Sequence, residues 1–259
     1  MSSDAKRGQF VWFDLMTSDP DAAVSFYTDL IGWGTQPWEG GDQPYTMWTN
    51  ADQPLGGVMD IPPEAREAGA PPNWMAYVAV SDVGAVADRA KELGGSVMHP
   101  PTDIPGAGRF AVLADPQGAV FAVYSSQEEG SEPSGPPKAG EFSWHELATT
   151  DYASAHDFYA DLFGWEKHEA MNMGEGWIYQ IYGRAGTPLG GMFNKPAEMP
   201  GPPMWLYYIK VDSVEASVER VKQLGGQVLS GPMDVPGGDQ IAQCMDPQGA
   251  VFALHSSAG

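Results

Sequence analysis

The sequence predicts an α+β protein made of four β-α-β-β-β units, two to a domain, and three observations carry that prediction. DPQGAVFA runs from Asp115 to Ala122 and recurs letter for letter from Asp246 to Ala253. FYTDLIGW at Phe26–Trp33 is answered by FYADLFGW at Phe158–Trp165, and PLGG at Pro54–Gly57 by PLGG at Pro188–Gly191. Inside each copy, a strand-like stretch, a capped amphipathic stretch and three short strands follow one another twice. Repeats half a chain apart make this two copies of one domain, and small drifts in their spacing mark loop insertions.

The elements follow in order. Phe10–Met16 alternates and is rich in aromatics, as a strand should be. Ser18-Asp19-Pro20 supplies a capping side chain and a proline at the first helical position, so a helix starts there. Val24, Tyr27, Leu30 and Ile31 give it one buried stripe, and Gly32 ends it. Strands are expected at Trp33–Trp38, Tyr45–Thr49 and Leu55–Asp60, and a proline- and alanine-rich loop at Pro62–Pro72. The order then repeats: a strand at Trp74–Val80, a helix capped at Ser81-Asp82 with Val83, Val86, Ala90 and Leu93 inward, and a Gly94-Gly95 stop. Strands at Ser96–Thr102, Gly108–Ala114 and Ala119–Tyr124 complete the set, with Asp-Pro-Gln-Gly as a tight turn before the last. From Glu141 the pattern restarts, with a strand at Phe142–Thr149, a helix from the Thr150-Asp151 cap to Phe163 and a later helix at Ser213–Leu224. The expected domains are 1–127 and 141–259, joined by a proline- and glycine-rich linker, 128–140.

Composition narrows the function. Nine Trp, ten Tyr and ten Phe within 42% hydrophobic residues suffice for two real cores. A formal charge of −21, shared by both halves, repels phosphate backbones, so nucleic acid is an unfavourable partner. The field would attract a cation, although solubility alone accounts for it. No apolar run opens the chain and none reaches 18 residues, so neither a signal peptide nor a membrane span is expected. One cysteine, Cys244, permits no internal disulfide and fits a reducing, cytoplasmic setting; it reads as a small buried hydrophobe. No GxGxxG helix start, Walker A loop, GxSxG elbow, HExxH or CxxC is present. The Gly-Gly pairs recur at matching places and read as architecture.

Paired β-α-β-β-β units, FY.DL.GW closing the first helix and DP.G before the last strand resemble the vicinal oxygen chelate superfamily. Its members include glyoxalase I, extradiol dioxygenases and bleomycin-resistance proteins. The likeness covers residues 8–126 and 140–257. More narrowly, IPG at Ile104–Gly106 and GRFAVLADPQGA are similar to actinobacterial two-domain proteins labelled glyoxalase-like or hydroxylases. The resemblance implies a half-open sheet curled into a cup in each domain, with helices outside. In metal-dependent members the cup holds a divalent ion through His, Glu or Gln. Carried over residue by residue, those positions are Trp12 and Trp144, Met75 and Leu206, Ala122 and Ala253, and, near the middle strand, Thr46 and Gln180. Only Gln180 could coordinate a hard or borderline ion.

No cofactor is therefore expected. By strand alternation, the faces that lose those ligands carry Trp12 with Asp14, Trp144 with Glu146, Tyr77, Tyr208, Tyr124 and His255, joined by Trp48, Gln180 and Tyr182 from the middle strands. Such aromatic, acid-lined surfaces suit a flat aromatic or cationic small molecule. Asp14 and Glu146 read equally as ligand acceptors or structural acceptors, because a buried carboxylate needs a partner. His145 reads as a satisfied core or rim residue, and His99, His156 and His168 have no assigned role. Three functions compete. The first is a metal-free binding protein, such as a resistance or sequestration factor. The second is a metal-independent isomerase, lyase or cyclase with Asp14, Glu146 or His255 in acid–base roles. The third is a metal-dependent glyoxalase or dioxygenase. The more polar second half is the expected functional one, and the protein a monomer with an internal pseudo-dimer.

Overall fold

The computed structural model describes residues 7–40, 44–127, 135–174, 176–199 and 201–258; most of the expected linker, 128–134, lies outside them. The first half contains β1 (Phe10–Thr17), α1 (Pro20–Ile31), β2 (Gly34–Pro37), β3 (Thr46–Asn50), β4 (Gln53–Asp60), α2 (Pro63–Glu67), β5 (Asn73–Ala79), α3 (Val83–Glu92), β6 (Ser96–Ile104), β7 (Gly108–Ala114) and β8 (Val120–Ser126). The second contains β9 (Phe142–Thr149), α4 (Tyr152–Phe163), β10 (Glu166–Asn172), β11 (Ile178–Arg184), β12 (Thr187–Asn194), β13 (Met204–Lys210), α5 (Val214–Gln223), β14 (Gln227–Asp234), β15 (Gln240–Met245) and β16 (Val251–Ser256). Two eight-stranded sheets result, ordered β2-β3-β4-β1-β5-β8-β7-β6 and β10-β11-β12-β9-β13-β16-β15-β14, the same order twice. The α+β class and its four repeated units are those the sequence predicts.

The helix boundaries follow from their caps. Asp19, Asp82, Asp151 and Ser213 each accept a backbone N–H of the first turn through the side chain. Gly32 and Gly164 end α1 and α4 at φ 85° and 73°, a region that favours glycine. Two expectations change. The loop after β4 contains the short helix α2, opened by Pro63. The fully buried face of α1 is Ala23, Phe26 and Tyr27, with Val24, Leu30 and Ile31 only half-buried. The larger rings take the inner positions, packing on Phe252 at 6.0 and 5.4 Å.

The described chain forms two compact units, each combining one β-α-β-β-β module from each half: Met1–Val11, Ala76–Ser134 and Trp144–Trp205 in one, and Trp12–Met75, Gly135–Ser143 and Leu206–Gly259 in the other. The repeated motifs meet inside each unit. In the second unit, Tyr27 of FYTDLIGW donates its hydroxyl to Asp246 of DPQG at 3.1 Å and accepts the Trp74 indole N–H at 3.0 Å. Asp246 Oδ1 also accepts the N–H groups of Gln248, Gly249 and Ala250. In the first unit, Tyr159 donates to Asp115 at 3.1 Å and accepts from Trp205 at 3.2 Å, while Asp115 accepts from Gln117 and Ala119. Burial pushes both carboxyls above the usual carboxylate range, against the pull of these donors. The tryptophans that end the repeated helix motif, Trp33 and Trp165, are buried and donate to the carbonyls of Gly140 and Gly8 at 2.8 and 2.7 Å.

The two cores use matching residues. Phe13 stacks on Phe142 at 3.7 Å in one; in the other Phe10 stacks on His145 at 3.9 Å. His145 is thus a core residue, as its alternation implies, with Nδ1 2.7 Å from the Leu189 carbonyl. Burial drives its pKa down to about 4, a shift the Leu189 carbonyl opposes. Cys244 is fully buried, and burial pushes its thiol up to about 12.

Asp246→Ala leaves three turn N–H groups and the Tyr27 hydroxyl without their acceptor, and should cost about 2–4 kcal/mol in urea unfolding, against about 1–2 for Tyr27→Phe. A loss below about 0.5 kcal/mol in both would show that the buried bridge contributes little. His145 stays neutral when folded, whereas the unfolded imidazole titrates near 6.5. Its stabilisation is therefore complete above about pH 6.5 and declines as pH falls toward 4, by on the order of 3 kcal/mol. His145→Phe, which copies the Phe13 stack, should lose less stability than the parent between pH 7 and 5; equal losses in thermal melts would exclude this assignment.

Candidate functional site

On β1, Trp12 and Asp14 share one face of the strand; on β9, Trp144 and Glu146 share the matching face. Asp14 and Glu146 are buried, with relative exposures of 4% and 8%. Each joins a tyrosine that strand alternation does not single out. In one unit Tyr45 donates to Asp14 Oδ1 at 2.6 Å, and the Trp12 indole N–H reaches the Tyr45 oxygen at 2.7 Å and Asp14 Oδ1 at 2.9 Å. In the other unit Tyr179 donates to Glu146 Oε2 at 2.9 Å and accepts from Trp144 at 2.8 Å. Each set has aromatic neighbours: Trp38 lies edge-on to Tyr45 at 5.9 Å, and Phe193 stacks on Tyr179 at 6.0 Å.

PLGG builds this arrangement. Strands β1 and β4 run parallel, with Phe13 opposite Gly56 and Asp14 opposite Gly57. A Cβ on Gly56 would sit 1.8 Å from the Phe13 carbonyl oxygen, and one on Gly57 would sit 2.1 Å from the Tyr45 ring. Gly190 and Gly191 meet the His145 carbonyl at 1.8 Å and the Tyr179 ring at 2.1 Å. The first glycine lets the backbones close, and the second lets the phenol lie across the strand to the carboxylate. The repeat held the signal: Tyr45 and Tyr179 stand as far apart as the two PLGG motifs.

The remaining candidates are distributed otherwise. Trp48 and Tyr182 belong to the cores, both fully buried. Trp48 packs on Trp33 at 5.4 Å; Tyr182 lies 4.5 Å from Trp165 and donates to the His145 carbonyl. The expectation that they face a ligand is corrected, because β3 and β11 show the opposite face from the one assumed. Gln180 shares the face of Tyr182; its amide nitrogen donates to the carbonyls of His168 and Ile181, bracing the register shift between β10 and β11. That fixes the group expected to meet a ligand. Tyr77 lies opposite Ala122, with its ring 6.2 Å from Phe110, and Tyr124 donates to the Ala107 carbonyl at 2.9 Å. Tyr208, 2% exposed, lies opposite Ala253. His255 is held by Ser143 and Asp239.

A carboxylate with a tyrosine at 2.6–2.9 Å can accept a further donor from a ligand, or exchange a proton through the phenol. Of the ligand positions carried over from metal-dependent proteins, three in each half hold indole, alkyl or thioether groups and the fourth holds Thr46 or Gln180; among the described residues no group of three or more His, Cys, Asp or Glu could hold a metal ion.

The model of the Glyoxalase/Bleomycin resistance protein/Dioxygenase superfamily matches residues 9–123 and 141–254. The chain is 36% identical over 260 residues to "Putative glyoxylase CFP32" of Mycobacterium tuberculosis, covering 99% of this chain and 97% of that protein. It is 34% identical to the anthracycline biosynthesis protein DauV of Streptomyces sp. strain C5, over 95% of this chain and 92% of that one. Among solved structures, the Mn(II)-bound glyoxalase of Novosphingobium aromaticivorans shares a TM-score of 0.62 at 17% identity, covering 98% and 83% of the two chains. The 2,2',3-trihydroxybiphenyl 1,2-dioxygenase of Sphingomonas wittichii RW1 gives 0.65 at 17%, over 97% and 90%. These distant structures share the fold.

Gly191→Ala should push Tyr179 off Glu146 and cost about 1–3 kcal/mol in stability. Tyr179→Phe in the Gly191→Ala background should then cost less than in the parent; strict additivity in a double-mutant cycle would show that Gly191 does not seat the phenol.

Proposed function

The chain belongs to the glyoxalase/bleomycin resistance protein/dioxygenase superfamily, and within it we propose that it binds a flat, oxygenated organic ligand without a metal, as a resistance or sequestration factor for a secondary metabolite. One observation carries the reading. Where the resemblance puts the first metal ligand, both halves carry a tryptophan tied through a tyrosine to a buried carboxylate. Indole and phenol rings offer stacking surface, and the carboxylate accepts from a ligand hydroxyl, amine or ring nitrogen. Tyr77, Tyr124 and Tyr208 are proposed to add ring contacts. A charge of −21 favours a ligand that carries an amine. Two relatives named for anthracycline biosynthesis, DauV and DnrV, support a fused-ring aromatic as the ligand class.

The short Tyr45–Asp14 contact of 2.6 Å favours a second reading, a metal-independent isomerase, lyase or cyclase. Asp14 or Glu146 would take a proton from an oxygenated substrate, and the adjacent phenol would return one. A metal-dependent reaction is the weakest reading, since three of the four carried-over positions in each half lack a donor side chain. The protein is proposed to act in the cytoplasm as a single chain, with no nucleic acid or membrane partner. No described helix is long and apolar enough to cross a membrane.

The test is a fluorescence titration of untagged protein with an anthracycline bearing an amino sugar, together with elemental analysis before any chelator. Saturable quenching in the micromolar range and substoichiometric metal are expected, with Glu146→Ala weakening binding about tenfold, equivalent to about 1.4 kcal/mol. Near-stoichiometric Zn, Ni, Mn or Fe, or no saturable signal, would overturn the reading. Loss of binding in Asp14→Ala alone would move the functional site to the first half.

A further inference from the structure

Three side chains from separate elements of the second half form a hydrogen-bonded line. Ser143, on β9, places Oγ 2.8 Å from Nδ1 of His255 on β16. The other ring nitrogen, Nε2, lies 2.9 Å from Oδ2 of Asp239, in the turn between β14 and β15. Asp239 is held below the usual carboxylate range, first by His255 and then by the N–H of Ala258, so it is ionised and can only accept. In the neutral ring the proton therefore sits on Nε2, leaving Nδ1 as the acceptor for the serine proton. Ser143 Oγ also lies 3.3 Å from the Tyr208 carbonyl, a weaker acceptor. Ser143 and His255 are half-buried, and the imidazole keeps 17% of its surface exposed, so a reagent can arrive from solvent.

The repeat separates this line from the scaffold. The positions equivalent to Ser143, Asp239 and His255 in the first half are Val11, Gly108 and Tyr124. None of the three can make the relay, yet Arg109 and Ser125 pair in β7 and β8 as Gln240 and Ser256 pair in β15 and β16, in the same register. Tyr124 there donates to the Ala107 carbonyl, and a Cβ on Gly108 would sit 2.8 Å from the Tyr124 ring. The first half thus forms the same strands without the serine, the imidazole or the acid.

We propose that Ser143, His255 and Asp239 are a nucleophilic relay that takes an acyl group from an activated ester and passes it to water. Independent of the binding function above, this activity belongs to the second half alone. Ser143 Oγ forms a bond to the ester carbonyl carbon while its proton moves to His255 Nδ1. The bond to the leaving alcohol breaks, and that alcohol departs with the proton. Water then attacks the acyl-serine, giving its proton to Nδ1, and the acid leaves as Oγ recovers a proton. Asp239 stabilises the imidazolium formed in both steps. An ester with a good leaving group asks least of the surroundings, so aryl esters are the substrate class.

The full-length protein is treated with a fluorophosphonate, which adds to Oγ with loss of fluoride, and with p-nitrophenyl acetate. The expected result is a single adduct mapped to Ser143 by peptide mass spectrometry, with none in Ser143→Ala. His255→Gln should label and turn over about 100-fold more slowly. Asp239→Asn, which removes the ring's fixed proton position, should slow both reactions as well, and it reports the same dependence should His255→Gln fail to fold. No adduct on Ser143, or labelling at the parental rate in a folded His255→Gln or Asp239→Asn protein, would overturn the proposal.

Discussion

Everything else in this protein depends on a buried hydrogen bond between the two halves of the chain. The Tyr27 hydroxyl of the first helix meets the Asp246 carboxylate of the last turn, and Tyr159 meets Asp115 in the reciprocal pair. Both members are the most strictly repeated letters in the sequence. A carboxylate that gathers turn N–H groups and a phenol inside an aromatic core is costly to leave unsatisfied, so each partner specifies the other. Neither half can complete this bridge alone. A core then contains α1 and β3 of one copy with β13, β15 and β16 of the other. Tandem fusion supplies both in a fixed ratio.

Around that bridge the aromatic residues keep their places while their chemistry drifts. Trp33 and Trp165, and Trp74 and Trp205, are conserved between the copies as rings and as donors. Trp48 becomes Tyr182 and Phe13 becomes His145; the Tyr182 hydroxyl finds the His145 carbonyl and His145 Nδ1 the Leu189 carbonyl. A close-packed interior tolerates such changes when volume and shape are kept and the added donor is satisfied.

The fold was legible because each repeat is anchored by strongly local chemistry: Asp or Ser caps, glycine stops and the Asp-Pro-Gln-Gly turn. The carboxylates Asp14 and Glu146 were legible too, since acids on aromatic strands stand out. Their tyrosine partners were not. Strand β3 reads TMWTN and β11 reads IYQIYGR, with bulky residues on both faces, so hydrophobic alternation does not set their phase. A phase error of one residue put Trp48 and Tyr182 on the acid face in place of Tyr45 and Tyr179. The glycines of PLGG carried the missing information. A pair of glycines in a strand marks close approach, and here the second one marks the ring that crosses it. The Ser143–His255–Asp239 line lay further out of reach, because its bonded neighbours are 112 and 16 residues apart and meet only through strand order.

The two copies, position by position, distinguish scaffold from chemistry. What both halves keep, such as the Tyr–Asp bridge, the Trp–glycine carbonyl bond and PLGG, is required by a packing or hydrogen-bonding constraint visible in each. What one half changes is free of those constraints. The carboxylate sets fall between these classes: the tryptophan and tyrosine are kept, but Asp14 becomes Glu146, one methylene longer. Retaining two aromatic donors around a carboxylate of variable length argues that a hydrogen-bonded acid is wanted at both places. The change of length goes with a change of contact: the Trp12 indole N–H reaches Asp14 itself, whereas that of Trp144 goes to Tyr179.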